Sequence, residues 1–102
     1  MPSNYGLELL IKNYNFVPEY KFCSSRRWRF DYAILEHKIA IEIEGGIFTQ
    51  GRHTRGKGFS GDMEKYNEAV KSGWSVLRYT PQQINDIIFD IEILLNNRKH
   101  NG

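Results

Sequence analysis

The residues of this chain best suited to chemistry are three carboxylates, Asp31, Glu42 and Glu44, carried on two short stretches that alternate apolar and polar side chains. In RRWRFDYAI, Trp28, Phe30, Tyr32 and Ile34 alternate with Arg27, Arg29, Asp31 and Ala33. In IAIEIEGG, Ile39, Ile41 and Ile43 alternate with Ala40, Glu42 and Glu44. A period of two is the pattern of a half-buried strand. The connection Glu36-His37-Lys38 makes the two strands antiparallel neighbours, and any register that keeps both apolar faces together sets Asp31 opposite Glu42 or Glu44. Like charges so close repel unless a cation joins them. Hard carboxylate oxygens on adjacent strands suit magnesium or manganese, which keep waters and complete their shell with phosphate, and phosphodiester cleavage is the reaction that follows. The plain alternative is a solvated acidic face on an exposed hairpin. Gly45-Gly46 favours the site, since a substrate backbone can approach there, although two glycines also mark an ordinary turn.

The segment GGIFTQGRHTRGKGFSGD follows at once and carries Arg52, His53, Arg55 and Lys57 among most of the chain's nine glycines. Arginine forks and open backbone N–H groups suit phosphate oxygens, but a run of basic residues and glycine is a weak motif by itself. His53 has the chemistry of a proton shuttle, a phosphate contact or a metal ligand, and equally that of an exposed loop histidine. Lys65 lies one helical turn from Asp62, so it either reaches toward the carboxylates or pairs with Asp62 on the surface. Arg26, Arg27 and Arg29 flank the strand of Asp31, where they hold a nucleic-acid backbone or neutralise the acidic patch. Trp28, Phe30, Tyr32, Trp74 and Tyr79 have the faces to stack on bases, but their alternation assigns them to the core.

The elements that must position these groups are legible along the chain. A first helix is expected over about Asn4 to Asn13, capped by Ser3, with Leu7, Leu10, Ile11 and Tyr14 inward. After the breaker Pro18, Tyr20 and Phe22 suggest a short first strand. A second helix is expected over about Gly61 to Ser72, capped by Ser60 and stopped by Gly73, with Met63, Tyr66 and Val70 as its buried line. Trp74 to Tyr79 reads as a strand that the helical crossover sets parallel to Ile39–Glu44. Thr80-Pro81-Gln82-Gln83 carries a capping box and opens a final helix whose inward stripe is Ile84, Ile87, Ile88, Ile91, Leu94 and Leu95. The polar tail, Asn96 to Gly102, is expected to fray.

At 102 residues the chain is one domain. With 40% hydrophobic and 25% charged residues it has a globular composition, and its 14% aromatic content supplies core area. A net charge of +2 does not diagnose nucleic-acid binding, so placement of charge must carry that argument. Cys23, the only cysteine, excludes an internal disulfide and multi-cysteine zinc, and is expected to be a small buried hydrophobe. The N-terminus has no signal-peptide pattern and no apolar run reaches membrane-spanning length, so the expectation is a soluble intracellular protein.

Taken together and in this order, RRWRFDYA, IAIEIEGG, GRHTRGKGF, DMEKYNEA and GWSVLRYTP resemble the PD-(D/E)XK nuclease superfamily, and more narrowly the small phage and bacterial endonuclease-like proteins related to very-short-patch-repair endonucleases. The likeness runs from Glu8 to about Ile84. It implies a restriction-endonuclease-like α/β/α sandwich on a small mixed four-stranded sheet, in the order α-β-β-β-α-β-α. It also implies Asp31 as the first metal-binding carboxylate, Glu42 as the second, Glu44 in the place of the motif's lysine, and Glu8 as the acidic residue of the first helix. Two departures stand out: no proline precedes Asp31, and E-x-E replaces E-x-K. A glutamate at that place resembles the variant in some restriction endonucleases, as base or second metal ligand; alternatively Lys65 supplies the missing lysine.

The expected catalytic set is therefore Asp31, Glu42 and Glu44, with Glu8, His53 and Lys65 behind them, and the expected nucleic-acid contacts are Arg27, Arg29, Arg52, His53, Arg55 and Lys57. The implied cofactor is Mg2+ or Mn2+ and the partner is DNA, with a homodimer as one expectation and no membrane. The setting is the cytoplasm of a bacterial host, and the activity a phage-type endonuclease acting on branched or otherwise structured DNA in recombination or repair, leaving a 5′ phosphate. A non-catalytic nucleic-acid-binding module with the same fold is the rival, and a protein-interaction domain the third reading. Removal of Asp31 or Glu42 is expected to leave folding intact or to improve it, by relieving carboxylate repulsion.

Overall fold

Four strands, β1 (Phe16–Lys21), β2 (Arg29–Ile34), β3 (Ile39–Ile43) and β4 (Ser75–Tyr79), lie side by side in chain order as one mixed sheet. The computed structural model describes residues 5–44 and 61–101. Helices α1 (Tyr5–Ile11), α2 (residues 61–71) and α3 (Ile87–Asn101) complete an α/β fold. None of the described helices is long and apolar enough to cross a membrane. The β2–β3 hairpin is antiparallel, with Tyr32 opposite Ile41, Ala33 opposite Ala40 and Ile34 opposite Ile39. Strand β4 runs parallel to β3, pairing Ile39 with Ser75 through Ile43 with Tyr79, as a helical crossover requires.

The period-two pattern sorts the core into two clusters. Tyr32, Ile34, Ile39, Ile41 and Tyr79 pack with Leu7 and Ile11 of α1 and Ile87 and Ile91 of α3. Ala33 and Ala40 point the other way, joining Ala69 of α2 and Trp74. Helices therefore cover both faces, and Asp31 and Glu42 share the phase of Ala33 and Ala40, toward α2. Phe30 breaks the alternation. Although in phase with Tyr32, it packs with Trp74 and Ala69, its ring 5.0 Å from Trp74 and 4.2 Å from Phe22. The break falls where Glu19, facing this stretch from β1, adopts φ 51°.

Several boundaries differ from the periodicity. Strand β1 starts at Phe16, ahead of Pro18 rather than after it, because β1 is a sheet edge where a missing N–H leaves no ladder bond unmade. Helix α1 tightens into a 3-10 turn over Lys12–Tyr14 and ends at Asn15 with φ 55°. The expected cap Ser3 and Ser60 lie outside the described residues. The capping box opens a 3-10 helix, Pro81–Asp86, before α3 begins. Helix α3 runs to Asn101, through the segment expected to fray, and Arg98 donates from it to the His37 carbonyl and, at 2.9 Å, to Ser75 Oγ. Cys23 is only half-buried, its thiol 3.5 Å from the Ser25 hydroxyl, which lowers its pKa.

The second helix departs most from the sequence reading. Met63 and Val70, expected inside, are 51% and 67% exposed, while Ala69 is fully buried and Lys65 and Tyr66 are half-buried. The helix is rotated so that a small residue meets the aromatic cluster and a lysine turns toward the sheet. It ends at Gly73, whose N–H donates to the Val70 carbonyl while Trp74 N–H donates to that of Ala69, the double bond of a Schellman stop. Gly73 has φ 92°, and an added Cβ would sit 3.4 Å from Lys38 Nζ. Gly73→Ala is expected to lose about 1–2 kcal/mol of stability, seen as a lower urea midpoint; an unchanged midpoint would contradict this account.

Candidate active site

The β2–β3 ladder stops at Tyr32 and Ile41, and just beyond it the two carboxylates take over the bonding. Glu42 Oε2 accepts the Asp31 backbone N–H at 2.9 Å, and Asp31 Oδ2 accepts the Ile43 N–H at 2.7 Å. Each side chain thus spans the gap where the strands part. This reciprocal pair brings Asp31 and Glu42 together at one end of the hairpin, selecting Glu42 from the two partners that the sequence pattern allowed.

Glu42 is the most constrained group of the site. Its side chain is 9% exposed, and Oε1 accepts from both Lys65 Nζ and Tyr66 OH at 2.8 Å. The ammonium of Lys65, 14% exposed, also lies 5.9 Å from the Phe30 ring centroid and 5.3 Å from that of Tyr66. Lys65 therefore chooses the carboxylates over Asp62, and supplies the positive charge that two facing carboxylates demand. No buried side-chain nitrogen or oxygen among the described residues lacks a partner.

Burial raises the Asp31 pKa above its usual 3.8, and the Glu42 charge adds to the rise; the Ile43 N–H and Lys65 work against it. The Tyr66 phenol is pushed far above its ordinary range by burial and then by Glu42, so it remains a donor at every physiological pH.

Glu44 goes elsewhere. Its carboxylate accepts from Arg78 Nε on β4. The guanidinium lies 4.5 Å from the Tyr66 ring centroid, and the register sets Arg78 beside Glu42. Hydrogen bonding to Glu44 raises the Arg78 pKa further. Among the described residues no three His, Cys, Asp or Glu side chains are grouped to hold a metal ion. Asp31 and Glu42 nevertheless form the two-carboxylate donor set that magnesium or manganese takes when water and a substrate phosphate fill the remaining positions. Asp31 Oδ1 makes no hydrogen bond among the described residues and is the oxygen available to such a cation.

The other expected residues divide clearly. Glu8 accepts from Tyr32 OH at 2.8 Å, and the hydrogen bonds joining Asp31, Glu42 and Lys65 do not include it. Arg26 is spent on Glu64 at 3.0 Å and stacks over Trp28 at 4.1 Å, whereas Arg27 and Arg29 are exposed. Arg52, His53, Arg55 and Lys57 lie outside the described residues. Sequence reasoning missed Tyr66 and Arg78 as site groups. Arg78 carried one usable signal, a charge on β4 in phase with Val76, which becomes meaningful once β4 is aligned with the strand of Glu42 and Glu44.

Fold and site together define a small α/β protein with a carboxylate pair and a half-buried lysine at the parted end of a β-hairpin. No protein-family model, curated protein or solved structure matches the chain.

Proposed function

We propose that the chain is a small metal-dependent DNA endonuclease with a restriction-endonuclease-like α/β/α sandwich, acting on branched or otherwise structured DNA in recombination or repair. The observation that carries this reading is the 2.8 Å contact between Lys65 and Glu42 beside Asp31. It supports a PD-(D/E)XK arrangement in which the motif's lysine comes from α2 instead of from the strand, and so accounts for E-x-E in place of E-x-K.

Asp31 and Glu42 would hold Mg2+ or Mn2+. The cation, when bound, supplies Lewis-acid charge for hydrolysing a phosphodiester. Tyr66 and the Asp31 N–H keep the Glu42 carboxylate in one orientation. Lys65 keeps an ammonium beside both carboxylates, where it steadies an attacking water or a phosphate oxygen as charge develops. The exposed Arg27 and Arg29 offer backbone contacts to DNA, and Arg52, Arg55 and Lys57 add positive charge next in the chain, with His53 among them as a further phosphate contact. A homodimer would let such a domain cut both strands.

One observation favours the second reading, a nucleic-acid-binding module without turnover: Glu42 is held by Lys65, Tyr66 and the Asp31 N–H without any ion. The test is incubation of branched, nicked, linear and single-stranded DNA with magnesium or manganese, comparing wild type with Lys65→Met. Cleavage is expected to fall by about 10²-fold in the variant, the scale of one lost transition-state donor, and to vanish on chelation. Equal DNA binding by both proteins with no cutting under either metal would establish the module instead.

A further inference from the structure

An open cleft of about 470 Å³ adjoins the site, lined by Asp62, Met63, Tyr66, Asn67 and Arg78. Its size is that of a small-ligand site. Arg78 enters it preorganised: Nε is tied to Glu44 and the guanidinium rests on the Tyr66 ring. Its two Nη groups make no hydrogen bond among the described residues, and the side chain is 49% exposed. A guanidinium clamped at its inner edge and open at its outer edge suits an anion with two oxygens to offer, and phosphate is that anion. Met63, half-exposed although apolar, and Tyr66 provide the apolar part of its lining. Asp62 offers an acceptor, and Asn67 both donor and acceptor, at the edge. Phosphate grip, apolar lining and polar edge together match one nucleotide unit.

We infer that this cleft is a nucleotide subsite: Arg78 grips a phosphate, Met63 and Tyr66 bear on the base next to the scissile bond, and Glu44 is the positioning residue for Arg78. The inference rests on the nuclease reading above, and the Tyr66 hydroxyl on Glu42 is the link between the two sites.

The experiment is calorimetric titration of the full chain in EDTA with deoxynucleoside 5′-monophosphates and with inorganic phosphate, with folding followed by circular dichroism. The nucleotides are expected to bind more tightly than inorganic phosphate. Arg78→Ala is expected to weaken both ligands by about tenfold or more, as loss of a charge-assisted bond implies. Glu44→Gln should weaken both less, because Arg78 keeps its charge but loses its clamp. Asn67→Trp, a change at an exposed helix position, should block the nucleotide, spare inorganic phosphate and leave the melting temperature unchanged. Nucleotide binding unaltered by Arg78→Ala and Asn67→Trp, or phosphate binding as tight as nucleotide binding, would overturn the subsite. Without metal there is no turnover, so the two readings fail separately. Asp31-dependent cleavage with unaltered nucleotide binding in the variants sinks the subsite alone, whereas nucleotide binding lost in Arg78→Ala by a protein that never cuts DNA sinks the nuclease alone.

Discussion

Glu42→Ala is expected to destabilise the protein by about 3 kcal/mol, the penalty for stranding one partner of a buried ion pair. The change removes the acceptor of Lys65, of Tyr66 OH and of the Asp31 N–H together. With Lys65 only 14% exposed, little water reaches the orphaned ammonium. In a domain of this size the melting temperature should fall by roughly 10–20 °C. This reverses the expectation from sequence, under which losing a carboxylate relieves repulsion, because in the folded protein Glu42 is already neutralised. The double variant Glu42→Leu/Lys65→Met should recover much of the loss, since an apolar pair leaves nothing unpaired. A single variant melting within a degree or two of wild type would show that the Lys65–Glu42 contact does not form in solution.

Asp31→Asn is expected to move stability the other way and, on the nuclease reading proposed above, to cut cleavage sharply. Burial raises the Asp31 pKa above 3.8, so the folded state holds this proton more tightly than the unfolded state does. Below pH 3.8 the carboxyl is protonated in both states and nothing is lost. As pH rises through the folded-state pKa, the unfolded chain gives up the proton more readily, and the fold carries a penalty that persists at neutral pH. Asparagine never ionises, and its side-chain oxygen can still accept the Ile43 N–H. The variant should therefore melt higher than wild type at pH 7, with an advantage that shrinks as pH falls toward 3.8. Its cleavage rate should drop on the order of 10³-fold, as expected when a central charged group of such a site is lost. An equal melting difference at both ends of that range would refute the burial account of Asp31. Full activity in the variant would remove Asp31 from the chemistry.

Much of this architecture is written in local pattern. Alternation in RFDYAI and IAIEI marked β2 and β3, and their short connection required an antiparallel hairpin. Keeping both apolar faces together then set Asp31 opposite Glu42 or Glu44, and the structure joins it to Glu42. The parallel β4, the capping box at Thr80 and the stripe of α3 were likewise legible. These features depend on side chains close in sequence, each preferring one environment, so periodicity records them.

What periodicity could not decide was which of two acceptable faces a helix presents, and which charge finds which. By hydrophobicity α2 should bury Met63 and Val70, but it buries Ala69 and turns Lys65 inward, because the sheet beneath it offers a large aromatic cluster and an unpaired acid. Phe30 belongs by phase with Tyr32, yet packs across the sheet beside Trp74. Glu44 sits in phase with Glu42 but goes to Arg78, a partner 34 residues away. Sequence by itself thus determined the antiparallel hairpin, the parallel strand beside it and the placing of Asp31 opposite one of two glutamates. Tertiary structure alone assigned their cation, because an ion pair forms wherever packing desolvates opposite charges together, and that depends on helix rotation and strand register summed over the whole domain.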